Sequence, residues 1–282
     1  ARAAERHGLA MGVGSQRAAL RNPRLAHTYS IVREQAPSAV LIANIGASQL
    51  VAQDSGPALA LDDARRAVDM LRADALAVHL NTLEESIQPE GDRRAAGAAA
   101  ALRQIVEGLG VPVMAKETGA GLSRSAALRL RDLGISALDV GGVGGTSFAA
   151  IEGLRAAERG DVKGRRLGEV LRDWGTPTAV AILAAVSAGL PIVATGGVRT
   201  GLDAAKALAL GATIVGVARP VLQAALEGEA ALEAWLQQWL LELRTALFLT
   251  GARTPGELRR QPRVITGDTQ AWLSAALMSP LV

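Results

Sequence analysis

The chain contains no cysteine, so disulfides, thiolate nucleophiles and cysteine-ligated metals are excluded, as suits a reducing compartment. Aromatic residues are only 2% of the 282; alanine, leucine, valine and glycine supply the bulk, as expected where strands and helices pack closely in layers. No apolar run is long enough to span a bilayer and no signal peptide is visible, so a soluble, cytoplasmic protein with no membrane partner is expected. Neither sign of charge dominates. Thirty basic and 27 acidic residues leave a formal charge of +3, and the arginines are scattered among acids, which argues against nucleic acid as a partner. At 49% hydrophobic the chain can bury a large core, and a single domain over residues 1–282 is the economical reading.

The richest stretch is Pro191 to Pro220, PIVATGGVRTGLDAAKALALGATIVGVARP. Ile192 to Ala194 is an apolar run of the length of a buried strand, and Gly196-Gly197 lets the backbone pass close to a ligand. Leu202 to Leu210 has helical spacing and stops at Gly211, and Ile214 to Val217 forms a further buried strand. Two parallel strands ending in glycine turns aim free N–H groups at one point, which suits a phosphate dianion.

The same alternation recurs along the chain. Strands are expected at Leu9–Val13, Val40–Ile45, Ala75–Leu80, Pro112–Ala115, Ala137–Val140, Ile192–Ala194 and Ile214–Val217. Helices are expected at Pro23–Gln35, Leu61–Arg72, Arg94–Gly108, Arg124–Leu133, Pro177–Gly189 and Leu202–Leu210, followed by a long helical stretch from Val221 to Thr250. In that stretch Trp235 and Trp239 share one face, as core or subunit interface. Ala1–His7 reads as the end of a helix. The expected fold is therefore α/β, a (β/α)8 TIM barrel whose first strand is missing from the chain as given.

In such a barrel the chemistry sits at the C-terminal ends of the strands. The polar residues there are Ser15, Gln16 and Arg17; Asn44; His79 and Asn81; Lys116 and Glu117; the loop Gly141–Ser147, GGVGGTS; Gly196-Gly197; and Ala218-Arg219. Together they form a ring of positive character. Lys116, directly after Val113-Met114-Ala115, points from a rigid strand to the mouth, where a polar ligand or carboxylate offsets its desolvation.

The segments GSQR (Gly14 to Arg17), ANIG (Ala43 to Gly46), HLN (His79 to Asn81), PEGDR (Pro89 to Arg93), KETGAGLS (Lys116 to Ser123), DVGGVGGTS (Asp139 to Ser147), TGGVRTGLDAAKALALGA (Thr195 to Ala212) and ELRTALFLTGA (Glu242 to Ala252) resemble those of the type 2 isopentenyl diphosphate isomerase family. The resemblance runs through almost the whole chain; HLN, PEGD and KETGAGLS together are its most specific part. It implies FMN held at the barrel mouth by Ser15, Asn44, Lys116, Thr146, Gly197, Arg199, Ala218 and Arg219, with a diphosphate substrate faced by Arg17, His79, Asn81 and Ser123. It further implies a magnesium-binding acid at Glu85, NADPH as transient reductant and a homo-oligomer, a tetramer or octamer. Arginine and histidine donors with a hard cation on a carboxylate form a natural clamp for a diphosphate.

The implied reaction is a 1,3-proton shift converting isopentenyl to dimethylallyl diphosphate, with the positive charge of the protonated alkene stabilised by a reduced flavin. At Glu84 the chain departs from the family, which carries glutamine there, near the reacting carbon. A glutamate keeps the hydrogen bond only when protonated, so its pKa must be raised by burial and neighbouring negative charge, or activity is altered. Glu84 is the catalytic candidate. An FMN-dependent 2-hydroxyacid oxidase shares the TGGVRTGLDAAKALALGA pattern, but no histidine occurs after His79 to act as its base. A non-catalytic flavin- or phosphate-binding barrel is the third reading.

Overall fold

The computed structural model of the chain describes residues 1–278. Seven short strands alternate with helices: Met11–Gly12 (β1), Leu41–Gly46 (β2), Ala75–Leu80 (β3), Val113–Glu117 (β4), Ala137–Asp139 (β5), Ile192–Ala194 (β6) and Ile214–Val215 (β7). The residues fall into two compact units. The first holds Ala1–Lys116, Leu130–Ser136 and Ala149–Leu171; the second holds Glu117–Arg129, Ala137–Phe148 and the described residues from Arg172 onward.

In the first unit the strands stand in chain order. β1 pairs parallel with β2 (Met11 opposite Leu41) and β2 with β3 (Asn44 opposite Ala77, Gly46 opposite His79). That register puts the polar ends of β2 and β3 side by side. The apolar strand residues Leu41, Ala43, Ile45, Leu76 and Val78 are all buried, as a parallel sheet covered by helices requires. The helix Leu61–Leu71 covers them with Ala64, Ala67, Val68 and Leu71, one stripe at helical spacing. Its start is fixed by Asp63, whose carboxylate accepts the Ala60 N–H at 2.8 Å, and it ends where Arg72 turns left-handed.

Arg33 is an unusual core member. Its guanidinium, almost fully buried, donates to the carbonyls of Leu71, Arg72, Ala36, Pro37 and Ala39 and pairs with Asp74 at 3.0 Å. A buried charge is tolerable here because its donors are supplied with oxygens.

In the second unit β5, β6 and β7 pair parallel in chain order. The helix Gly201–Leu210 turns Ala204, Ala205, Ala207 and Leu208 inward and packs on the helix Glu229–Leu249. Gly201 is needed at that crossing, since a Cβ there would stand 2.2 Å from the Trp239 carbonyl oxygen. Trp235 and Trp239 are half-buried with ring centroids 6.3 Å apart.

Several boundaries differ from the periodicity reading. The first and last strands shrink to two residues each. The expected Val221–Thr250 helix is two helices, Arg219–Glu227 and Glu229–Leu249, because Gly228 at φ 122° breaks the ladder. The Pro23–Gln35 helix divides into a 3-10 turn, Pro23–Leu25, and a helix from His27. Helices at Arg17–Arg21, Thr82–Ile87, Phe148–Glu158 and Val162–Val170 lay outside the expected set.

Candidate functional site

The first unit gathers one polar cluster at the ends of β2, β3 and β4. Asn44 and His79, neighbours across the β2–β3 register, meet side chain to side chain: His79 Nδ1 lies 2.8 Å from Asn44 Oδ1. The Asn44 amide nitrogen already donates to the Val13 carbonyl at 2.9 Å, which leaves Oδ1 as the acceptor and assigns the proton to Nδ1. Burial lowers the His79 pKa to about 4, and the positive charge of Lys116 pushes the same way. The ring is therefore neutral near pH 7. Its other nitrogen sits where a Cβ at Gly46 would come within 2.8 Å, which explains the glycine of ANIG.

Gln16, which the sequence places at a strand end without a role, is structural. It is wholly buried; its Oε1 accepts the Asn44 N–H at 2.9 Å and its Nε2 donates to the Ala67 carbonyl at 2.9 Å. It fastens the end of β2 to the helix behind, and its place inside GSQR was the only available signal. Next to it, Ser15 carries a hydroxyl oxygen shielded from solvent with no hydrogen-bond partner, while its carbonyl accepts from the Tyr29 hydroxyl at 2.6 Å.

After β3, Asn81 opens the short helix Thr82–Ile87. Its side-chain nitrogen is shared between Glu84 Oε2 (3.2 Å) and Glu85 Oε1 (3.0 Å). Its oxygen is buried without a partner. Glu84 also accepts from Gln88 at 3.3 Å. Burial raises the Glu84 pKa, and the carboxylates of Glu152 and Glu85 add to the shift, against the Asn81 hydrogen bond and Arg155. This is the direction the glutamine-to-glutamate departure demands. Glu152, buried on the helix Phe148–Glu158 and held by Arg155 at 2.7 Å, drew no notice in an apparently ordinary amphipathic segment.

Glu85 is 4% exposed and accepts from Ser48 Oγ (3.3 Å) and the Asp92 N–H (2.7 Å) as well as from Asn81. Arg17 forms an ion pair with Asp92 at 2.9 Å and donates to Ser55 Oγ at 2.7 Å. Among the described residues no group of three or more His, Asp or Glu side chains is arranged to hold a metal. Magnesium fits only as an ion on one carboxylate that takes its remaining oxygens from a substrate and water, a usual arrangement for that hard cation.

The second unit holds a glycine cradle. After β5, Gly141 (φ 45°) and Gly144 (φ 150°) fold the GGVGGTS loop onto the Gly196-Gly197 turn that follows β6 (φ 102° and 79°). A Cβ at Gly145 would stand 2.6 Å from the Gly197 nitrogen. Thr178 Oγ1 donates to the Gly196 carbonyl at 2.6 Å, and Arg199 donates to the carbonyls of Gly144 (2.7 Å) and Gly197 (3.1 Å). Thr195 bonds Asp139 at the base of the loop. The cradle also differs from expectation in one respect. The N–H groups of Arg199 and Thr200 go to Asp203, and that of Gly201 to Glu242, so the start of the helix Gly201–Leu210 is satisfied by the protein's own carboxylates. The helix Arg219–Glu227, by contrast, begins at Ala218 with no side-chain cap and with Pro220 in its first turn. Its first-turn N–H groups suit a phosphate.

Thr146 lies in the cradle loop, half-buried, and Ala218 and Arg219 are exposed at that helix start. Ser123 is exposed and caps the helix Arg124–Asp132, its Oγ accepting the Ala126 N–H at 3.2 Å. Glu117 turns away from Lys116 and accepts the N–H groups of Gly119, Ala120 and Gly121 within 2.6–3.0 Å. Within the second unit, a glycine cradle and an uncapped helix start fit the phosphate of a phosphorylated flavin.

Comparison with known proteins agrees with this geometry. The FMN-dependent dehydrogenase family matches residues 93–265. Solved structures share the fold: a putative lactate oxidase of Pediococcus acidilactici superposes with TM-score 0.59 at 16% identity over 83% of this chain and 63% of that one. A mandelate oxidase gives TM-score 0.57 at 22% identity over 92% and 70%. The chain is thus an α/β barrel protein of the FMN-dependent class. Curated relatives narrow this. Isopentenyl-diphosphate delta-isomerase of Methanothermobacter thermautotrophicus is 49% identical over 97% of this chain and 74% of its own length, and that of Thermococcus onnurineus 44% identical over 100% and 74%. Within that class the chain belongs to the isopentenyl-diphosphate delta-isomerase family of the FMN-dependent type.

Proposed function

We propose that the protein interconverts isopentenyl and dimethylallyl diphosphate by moving a proton across the allylic system, with FMN as its resident cofactor. The observation that carries this is 49% identity to a named isomerase across 97% of the chain, a span that includes every segment of the polar cluster and the cradle. The 2-hydroxyacid oxidase reading rests on a shared fold at 16–22% identity and on the common Thr195–Ala212 pattern, without the histidine base that chemistry needs.

Reduced FMN, when bound, supplies an electron-rich ring face that stabilises positive charge without net redox change. The protein's own residues do the rest. Ser15, Asn44, Lys116, Thr146, Gly197, Arg199, Ala218 and Arg219 are assigned to the flavin. Arg17, His79, Asn81 and Ser123 are assigned to the substrate, with the Arg17 charge opposing that of the diphosphate. Glu85 holds magnesium against the diphosphate oxygens. Glu84 stands beside the reacting carbon in its protonated form, where it donates a hydrogen bond as an amide would. NADPH would supply the reducing equivalents as a transient visitor, since the chain carries no GxGxxG fingerprint followed by an acid.

A homo-oligomer, tetramer or octamer, is part of the same reading, supported by large exposed apolar side chains on the helices Arg219–Glu227 and Glu229–Leu249 of the second unit, among them Leu226 and Phe248. No helix among the described residues is long and apolar enough to cross a membrane. The test is turnover of isopentenyl diphosphate by FMN-loaded protein before and after reduction. Isomerisation only after reduction is expected; lactate- or mandelate-driven flavin reduction without isomerisation would replace this reading.

A further inference from the structure

The segment Pro89–Arg93 folds back onto the helix Thr82–Ile87 and is locked there. The Gly91 N–H donates to the Gln88 carbonyl at 3.1 Å, and the Arg93 guanidinium donates to the carbonyls of Gln88 (2.9 Å) and Glu85 (3.4 Å). No side chain fits at Gly91, because a Cβ would stand 1.8 Å from the Glu85 carbonyl oxygen. This contact delivers Asp92 to a fixed place. Its N–H donates to Glu85 Oε2 at 2.7 Å, and its carboxylate, 2% exposed, faces Arg17 at 2.9 Å. Ser55 closes the ring, donating to Asp92 Oδ1 and accepting from Arg17, both at 2.7 Å.

Asp92 therefore touches both the acid and the guanidinium assigned to the diphosphate, one through its backbone and one through its side chain. Two of the guanidinium nitrogens face Asp92 and Ser55, and the side chain as a whole is 25% exposed. An arginine on a flexible stem would lose conformational freedom on every binding event; one already braced by a buried carboxylate loses less.

We propose that Asp92 is a positioning residue that holds the Arg17 guanidinium and the Glu85 carboxylate at one spacing, so that cation and acid present a preformed diphosphate clamp. This rests on the assignment of Arg17 and Glu85 to the substrate. The experiment uses FMN-loaded protein and compares Asp92→Asn, Ser55→Ala, Arg17→Ala and the Arg17→Ala/Asp92→Asn pair. Two readouts are taken: calorimetric affinity for inorganic pyrophosphate with magnesium, which needs no turnover, and the division between KM and kcat.

Asp92→Asn is expected to weaken pyrophosphate about tenfold or more and to raise KM alike, with kcat within about threefold and flavin affinity unchanged. Added to Arg17→Ala it should cost little more, because the two act as one unit. Should Asp92→Asn not fold, Ser55→Ala decides: about two- to fivefold weaker pyrophosphate is expected, and unchanged affinity overturns the proposal. If Arg17→Ala weakens pyrophosphate while Asp92→Asn does not, the positioning role fails and the substrate assignment stands. If Arg17→Ala leaves pyrophosphate untouched, the substrate assignment itself fails and takes the positioning role with it.

Discussion

At the scale of single residues, Glu84 is where this chain departs from its family and where the electrostatics are most telling. Burial and the nearby carboxylates of Glu152 and Glu85 raise its pKa, and the protonated form carries a donor hydrogen that glutamine always has. The protonated form is present below the raised pKa and is lost as pH rises through it. We predict that kcat/KM falls on that alkaline side by up to about tenfold per pH unit, and that Glu84→Gln removes this limb and equals or exceeds the parent at higher pH. Superimposable pH profiles for the two proteins would remove Glu84 from the reaction. Lys116 was legible from its place at the end of an apolar strand run, whereas Glu84 and Glu85 were named only through the family resemblance, on a helix that periodicity did not mark. The sequence did not reveal the neutral His79, the bridging Gln16 or the buried Glu152, since each depends on contacts 28 to 68 residues distant or on burial that no local pattern encodes.

At the scale of elements, the cradle in the second unit works through close backbone approach. Gly145 has no positive φ to complicate its replacement, so Gly145→Ala isolates the steric term: the new methyl would meet the Gly197 nitrogen at 2.6 Å, and backbone must shift. A cost of about 1–3 kcal/mol in stability is expected. A drop of about tenfold in FMN affinity by fluorescence titration should accompany it, with Gly256→Ala, open to within 3.8 Å of Thr254, as the control. Equal FMN affinity in the two variants would dissociate the loop from the flavin. The repeating strand-and-helix pattern was legible in the sequence, because buried parallel strands are short apolar runs. Capping was not: Asp203 and Glu242 take the helix-start N–H groups that the glycine turn had seemed to offer, and Glu242 lies 41 residues from the Gly201 it serves.

At the scale of the whole molecule, the fold class follows from alternation alone, while the lengths of the strands do not, because a strand ends where its neighbour stops pairing. Buried oxygens without partners on Ser15 and Asn81 each carry a desolvation cost that a bound ligand relieves. FMN at about a hundred times its dissociation constant should stabilise the protein by about 2.7 kcal/mol. For a chain of this size that is a rise in Tm of roughly 5–10 °C, readable by scanning calorimetry. An unchanged Tm at saturating FMN would deny the flavin a home here. A different kind of robustness comes from Arg33, whose guanidinium clasps five carbonyls and the Asp74 carboxylate. A planar guanidinium spreads five donor hydrogens over those six oxygens, whereas an ammonium has three and could not span them. Lysine, though equal in charge, is therefore no substitute for the knot that Arg33 ties.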